Sequence, residues 1–150
     1  MSEYAEKTLL FVGGGAEALP GIEKARDLGL HVVVSDLNPE APGMSAAHDQ
    51  LVASTYDVAT TLSVAKRYHR EVRRIDGVMC LATDVPLTVA AVAAELGLPG
   101  IPVAVAALAM DKLAMKRQFV MDGVAIPWFA PVDSARHLHE LAAEQGLPLV

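Results

Sequence analysis

Thr8-Leu9-Leu10-Phe11-Val12 is a short apolar run that stops at Gly13-Gly14-Gly15. An apolar run bounded by glycine reads as a buried strand. Pro20 to Leu28 follows with Ile22, Ala25 and Leu28 on one helical face, and Pro20 suits a first turn, where its missing N–H costs nothing. Gly29 stands where a C-terminal cap belongs. His31-Val32-Val33-Val34-Ser35-Asp36 is then a second strand, β-branched and ending at an acid. Strand, helix and strand in this order form a βαβ unit, whose two strands run parallel.

The alternation continues along the chain. After a loop rich in Pro, Gly and Asn (Asn38 to Gly43), Leu51-Val52-Ala53 reads as a third strand. Thr60 to Val72 is helical, with Leu62, Ala65, Tyr68 and Val72 as its apolar stripe. Gly77 to Ala82 is a fourth strand, Pro86 to Leu96 a helix closed by Gly97, and a short strand near Pro99-Gly100-Ile101 is expected to finish the sheet. The implied class is α/β: a Rossmann-like doubly wound parallel sheet with its first four strands in the spatial order 3-2-1-4. Beyond Pro102 the texture changes to a helical C-terminal extension. Val103–Met110 and Asp111–Met121 read as helices, Val124 to Phe129 as an edge or linking strand carrying Pro127, and Ser134 to Gln145 as a helix with Asp133 as its N-cap. Leu147-Pro148-Leu149-Val150 opens what reads as another strand, so the expectation is a fragment cut at the start of a further domain.

Composition narrows the classes of function. The 150 residues are 53% hydrophobic and 20% charged, which excludes a disordered chain, and the net charge of -6 offers no basic face for a nucleic-acid backbone. No apolar run approaches the roughly 20 residues needed to span a bilayer, and the polar N-terminus lacks the basic and apolar regions of a signal peptide. Cys80, the single cysteine, cannot form an internal disulfide and lies in an apolar run, so a buried, inert thiol is expected. Together these features point to a cytoplasmic protein with no nucleic-acid or membrane partner.

The chemistry-bearing residues gather at the strand ends. Gly13-Gly14-Gly15 joins the first strand to the first helix, and amides at a glycine turn beside a helix N-terminus suit a phosphate or carboxylate. Gly13-x-Gly15-x-x-Ala18 also fits the dinucleotide pattern, with Asp36 where a ribose-binding acid would stand. The plain alternative is a tight turn with no ligand. Glu17 either caps the helix or receives a substrate amine, and Asp84 either caps the helix after it or shares a crevice with Glu17 and the glycine amides. The five histidines show no spacing that suits a metal, so no metal site is expected. Gly14→Val is expected to harm substrate use more than folding.

One further pattern spans the chain. Asp111-Lys112, Met115-Lys116 and Phe119, then Asp122-Gly123-Val124-Ala125-Ile126-Pro127, then Gly146-Leu147-Pro148-Leu149-Val150, resemble the entry into the ATP-grasp domain of ATP-dependent ligases. The glycine loop, the Asp36-Leu37-Asn38-Pro39-x-Ala41-Pro42-Gly43 segment and Asp76-Gly77-Val78 are similar to the domain that precedes it. Formate-dependent glycinamide ribonucleotide transformylase, biotin carboxylase and carbamoyl phosphate synthase are relatives of this kind.

The resemblance implies residues 1–110 as a pre-ATP-grasp Rossmann-like domain and residues 111–150 as the truncated beginning of an ATP-grasp domain. It implies a parent carboxylate-amine or related ligase, in which ATP, with Mg2+, phosphorylates a small-molecule carboxylate (or bicarbonate or formate) and an amine or another nucleophile attacks the acyl phosphate. On that template Gly13, Gly14, Gly15, Glu17 and Asp84 bind substrate and Lys112 binds ATP. The catalytic residues and magnesium ligands are expected downstream of Val150, leaving this part inactive and without bound cofactor. Related enzymes often dimerise through this region, which makes a homodimer an expectation. The alternatives are a complete NAD-binding Rossmann domain, and a non-catalytic α/β module that binds a small molecule.

Overall fold

The computed structural model describes residues 4–149; Met1 to Glu3 and Val150 lie outside the described residues. Four strands, β1 (Thr8–Val12), β2 (His31–Asp36), β3 (Asp49–Val52) and β4 (Gly77–Met79), form one parallel sheet in the order β3-β2-β1-β4. The register sets Leu10 beside Val33 and Val78, and Val33 beside Asp49. This is the order expected of right-handed crossovers.

Strand alternation divides the core into two layers. Phe11, Val32 and Val34 face α1 (Leu19–Asp27) and α2 (Pro42–Ala46), where Ile22, Ala25 and Met44 meet them. Leu10 and Val33 face α3 (Val58–Glu71) and α4 (Pro86–Glu95), packing on Ala65, Tyr68, Ile75 and Val92. Phe11, Leu10, Ile22 and Met44 are each at most 1% exposed, and burying a side chain of that size stabilises the fold by about 1.5–3 kcal/mol. The doubly wound α/β class follows directly: apolar residues on both faces of β1 and β2 require helices on both sides.

Several boundaries differ from the sequence reading. Pro42–Ala46, whose first two residues fall at the end of the expected loop, forms α2; five residues hold as a helix because Met44 is buried and Gly43 N–H donates to the Gly14 carbonyl at 2.7 Å. The third strand begins two residues early, at Asp49. The third helix begins at Val58, where the Asp57 carboxylate accepts the Thr60 N–H at 3.0 Å. β4 stops at Met79, so Cys80 falls in the connection past the sheet and is half-buried rather than enclosed. Residues 99–101 form no strand, since Pro99 begins them and Pro102 follows them, and neither prolyl nitrogen can donate to a ladder.

The chain divides into two compact units, Met1–Met110 and Asp111–Val150. The first also contains α5 (Val103–Met110), which packs against α4. In the second, α6 (Lys112–Met121) is capped by Asp111, whose Oδ1 accepts the N–H groups of Leu113 and Ala114 at 3.0 and 2.9 Å. α7 (Ala135–Gln145) is capped by Ser134 rather than Asp133; the Asp133 carboxylate accepts instead from the Ser134 hydroxyl. Val124 to Phe129 joins no strand, and Lys116 Nζ lies 5.4 Å from the centre of the Phe129 ring. Leu147 to Leu149 are not in a strand either, and Val150, the end of that expected element, lies outside the described residues.

Candidate functional site

The carboxyl ends of all four strands open onto one cavity of about 200 Å³. Gly13, Gly15, Glu17 and Ala18 line it from the loop after β1, Asp36 from the end of β2, Thr55 from the loop after β3, and Leu81, Ala82 and Thr83 from the loop after β4. Ligands of open α/β sheets bind in this position.

The first three loops are fastened from below by hydrogen bonds. Gly13 has φ +104° and donates its N–H to the Ser35 carbonyl at 2.8 Å, a conformation that a Cβ would strain. Gly14 is turned inward: its N–H donates to Asp36 Oδ2 at 2.8 Å and its carbonyl accepts from Gly43. Asp36 Oδ1 accepts the Asn38 N–H at 2.9 Å, so this acid ties the glycine loop to the turn after β2. The Ser54 and Thr55 carbonyls accept from the hydroxyls of Thr61 (2.8 Å) and Thr88 (2.7 Å), both buried, which pins the third loop to α3 and α4. Ala82 has φ +53°, and this left-handed conformation costs a non-glycine residue about 1–2 kcal/mol.

Of the residues singled out in the sequence, Gly13, Gly15 and Glu17 share the cavity. Gly14 sits behind it. A Cβ there would lie 2.9 Å from Val34 Cγ1 and 3.3 Å from the Met44 nitrogen, so Gly14→Val is expected to strain the fold as well as the loop. Asp84 is exposed, does not line the cavity, and caps nothing, since Val85 holds the N-cap position of α4 without a side-chain bond. Lys112 is exposed as the first residue of α6 in the second unit. Thr55, Leu81, Ala82 and Thr83 were not anticipated, although the rule that ligands gather past strand ends pointed to their loops.

The cavity wall carries two carboxylates and two hydroxyls and no cationic side chain. Two amides of the glycine loop are already occupied by Ser35 and Asp36. This arrangement accepts hydrogen bonds from an amine or hydroxyl more readily than it holds an anion. A dinucleotide is not favoured, because the acid that would take the ribose is engaged with the loop backbone. Among the described residues no group of three or more His, Cys, Asp or Glu side chains could hold a metal ion, and no helix is long and apolar enough to cross a membrane.

Residues 22–100, just over half of the chain, match the family model for the ATP-grasp N-terminal domain. Solved structures share the fold. Phosphoribosylglycinamide synthetase from Anaerococcus prevotii is 22% identical with a TM-score of 0.73, over 95% of this chain and 35% of its own. N5-carboxyaminoimidazole ribonucleotide synthetase from Thermus thermophilus is 28% identical with a TM-score of 0.65, over 93% of this chain and 37% of its own. N5-carboxyaminoimidazole synthetase from Staphylococcus aureus, complexed with ADP, is 17% identical with a TM-score of 0.70, over 95% and 36%. The chain thus spans little more than a third of the length of these structures. No curated protein matches it.

Proposed function

Because the chain belongs to the ATP-grasp N-terminal domain family, we propose that it is the opening part of an ATP-dependent ligase that joins a carboxylate to an amine. The observation that carries this reading is the convergence of four loops on one acid-lined cavity at the carboxyl edge of the sheet. In the proposed reaction ATP transfers its γ-phosphoryl group to the carboxylate and ADP leaves. The amine then attacks the acyl carbon and inorganic phosphate departs. This chain's share is binding: Glu17 accepts from the amine or a neighbouring hydroxyl, Gly15 permits close approach, and Thr55 and Thr83 orient the substrate. We assign residues 1–110 to acceptor binding and residues 111–150 to the entry of the nucleotide domain, where Lys112 meets ATP phosphate. ADP in the Staphylococcus aureus neighbour is consistent with ATP as the second substrate. Among the described residues no cluster of acidic side chains could hold magnesium.

The test is a split of kinetic constants in the ligase that carries this chain. Glu17→Gln is expected to raise KM for the acceptor and leave KM for ATP unchanged, and Lys112→Ala to do the reverse. A Glu17→Gln enzyme with unaltered acceptor KM would remove the cavity from the acceptor site.

A further inference from the structure

At the other end of the sheet, the starts of β2 and β3 carry a connected group of titratable side chains. His48, which directly precedes β3, takes both backbone groups of Val32: its N–H donates to the Val32 carbonyl at 2.9 Å, and its ring Nδ1 accepts the Val32 N–H at 2.9 Å. A main-chain amide can only donate, so Nδ1 holds the lone pair and the proton of the neutral ring lies on Nε2. The ring stacks on His31 with centroids 4.7 Å apart. His31 Nε2 lies 2.6 Å from Asp49 Oδ2, which also accepts the Tyr68 hydroxyl at 2.7 Å. The groups facing His48 are therefore His31 of β2, Asp49 of β3, Arg26 of α1 and, through Asp49, Tyr68 of α3.

Protonation would convert Nδ1 from acceptor to donor and set it against the Val32 N–H. It would also place a charge beside Arg26, whose guanidinium donates to the Ala46 carbonyl at the end of α2. Burial, His31 and Arg26 hold the His48 pKa below its ordinary value, with Asp49 opposing in part. The segment ahead of His48 is fastened at its far end by the Gly43 N–H to the Gly14 carbonyl, so α2 spans from this ring to the back of the glycine loop.

We propose that His48 is a proton-operated latch: neutral, it fastens residues 42–49 to β2, and protonated it releases that segment and the seat of Gly14. The latch stands independently of the ligase reading.

Nuclear magnetic resonance on the chain between pH 8 and pH 5 tests it. The His48 ring should show the Nε2–H tautomer at pH 8. The Val32 and Gly43 amides should shift with the His48 midpoint, below the roughly 6.5 of a free imidazole, and Val32 should lose about tenfold in exchange protection. In His48→Asn, whose Oδ1 accepts but does not titrate, these shifts should vanish. The Nδ1–H tautomer, or amides that ignore the His48 titration, would overturn the latch on the wild-type chain alone. Persistence of the transition in a folded His48→Asn would do the same.

Discussion

Gly43→Ala tests how tightly α2 is set against the glycine loop. A Cβ at Gly43 would lie 2.5 Å from Ile22 Cδ1, 2.8 Å from Gly14 Cα and 3.0 Å from the Gly14 carbonyl oxygen. Carbon atoms rest at about 3.5–4.0 Å, so all three contacts are inside the repulsive wall. Ile22 is 0% exposed and cannot swing away freely, and Gly14 is backbone, held by Asp36 and by Gly43 itself. Overpacking of this kind costs about 1–3 kcal/mol, and displacing Gly14 also weakens a hydrogen bond worth about 1 kcal/mol. Alanine returns up to about 1 kcal/mol through helix propensity. The net expectation is a loss of about 1–3 kcal/mol. Gly15→Ala is the control: its Cβ would meet only Glu17 Oε2, the mobile end of an exposed side chain, at 3.3 Å. Urea unfolding followed by far-UV circular dichroism reads both variants, because the single tryptophan, Trp128, belongs to the other unit and the backbone signal follows the unit that holds α2. A lowered midpoint with unchanged slope is the predicted result for Gly43→Ala. If Gly43→Ala proves as stable as Gly15→Ala, the backbone contact between Gly43 and Gly14 is looser than described and α2 does not seat the loop.

Asp36→Asn should cost about 1–3 kcal/mol in the same assay, since the amide nitrogen must face the N–H of either Gly14 or Asn38; an unchanged midpoint would show that the tie is dispensable. Thr88→Val should lose about 1–2 kcal/mol by leaving the Thr55 carbonyl short of its partner, with Thr88→Ser recovering most of it. Equal stability of the two variants would mean that packing, not the hydroxyl, holds the third loop. The bond from Tyr68, with His31 adding to it, holds the Asp49 carboxyl below its ordinary range, so its contribution is present above about pH 4 and is lost as pH falls through the lowered value. Acid titration of Asp49→Asn should therefore show a shallower loss of stability below about pH 4 than wild type, and identical acid limbs would contradict the assignment.

The parts of the fold that were legible in the sequence are those fixed by local pattern. β1 and β2 are apolar on both faces, and that alone calls for helices on each side and hence parallel strands. What escaped depends on distant partners. α2 has neither length nor propensity in its favour, and it exists because Met44 fills the core beside Ile22 and Gly43 bonds to Gly14. β4 halts at Met79, opposite Phe11 and one residue short of the end of β1, which leaves Cys80 half-exposed. His31 and His48, which look scattered along the chain, stand together because the pairing of Val33 with Asp49 brings the starts of β2 and β3 side by side.

The glycine loop shows the limit more sharply. Glycines between a strand and a helix expose amides, and that chemistry favours an anion whatever its source. Here the chain supplies its own: the Asp36 carboxylate takes the Gly14 amide, and the sequence spacing that suggested a ribose acid describes equally well an acid that folds back onto the loop. Once that bond forms, the loop no longer advertises Gly14 to a ligand but locks it against Gly43 and Val34. The face left toward the cavity is then set by Glu17, Asp36, Thr55 and Thr83, which accept hydrogen bonds and repel negative charge. A loop motif associated with phosphate can therefore end as the floor of a site for a hydrogen-bond donor, and the partner of each loop amide, rather than the glycine count, decides between the two.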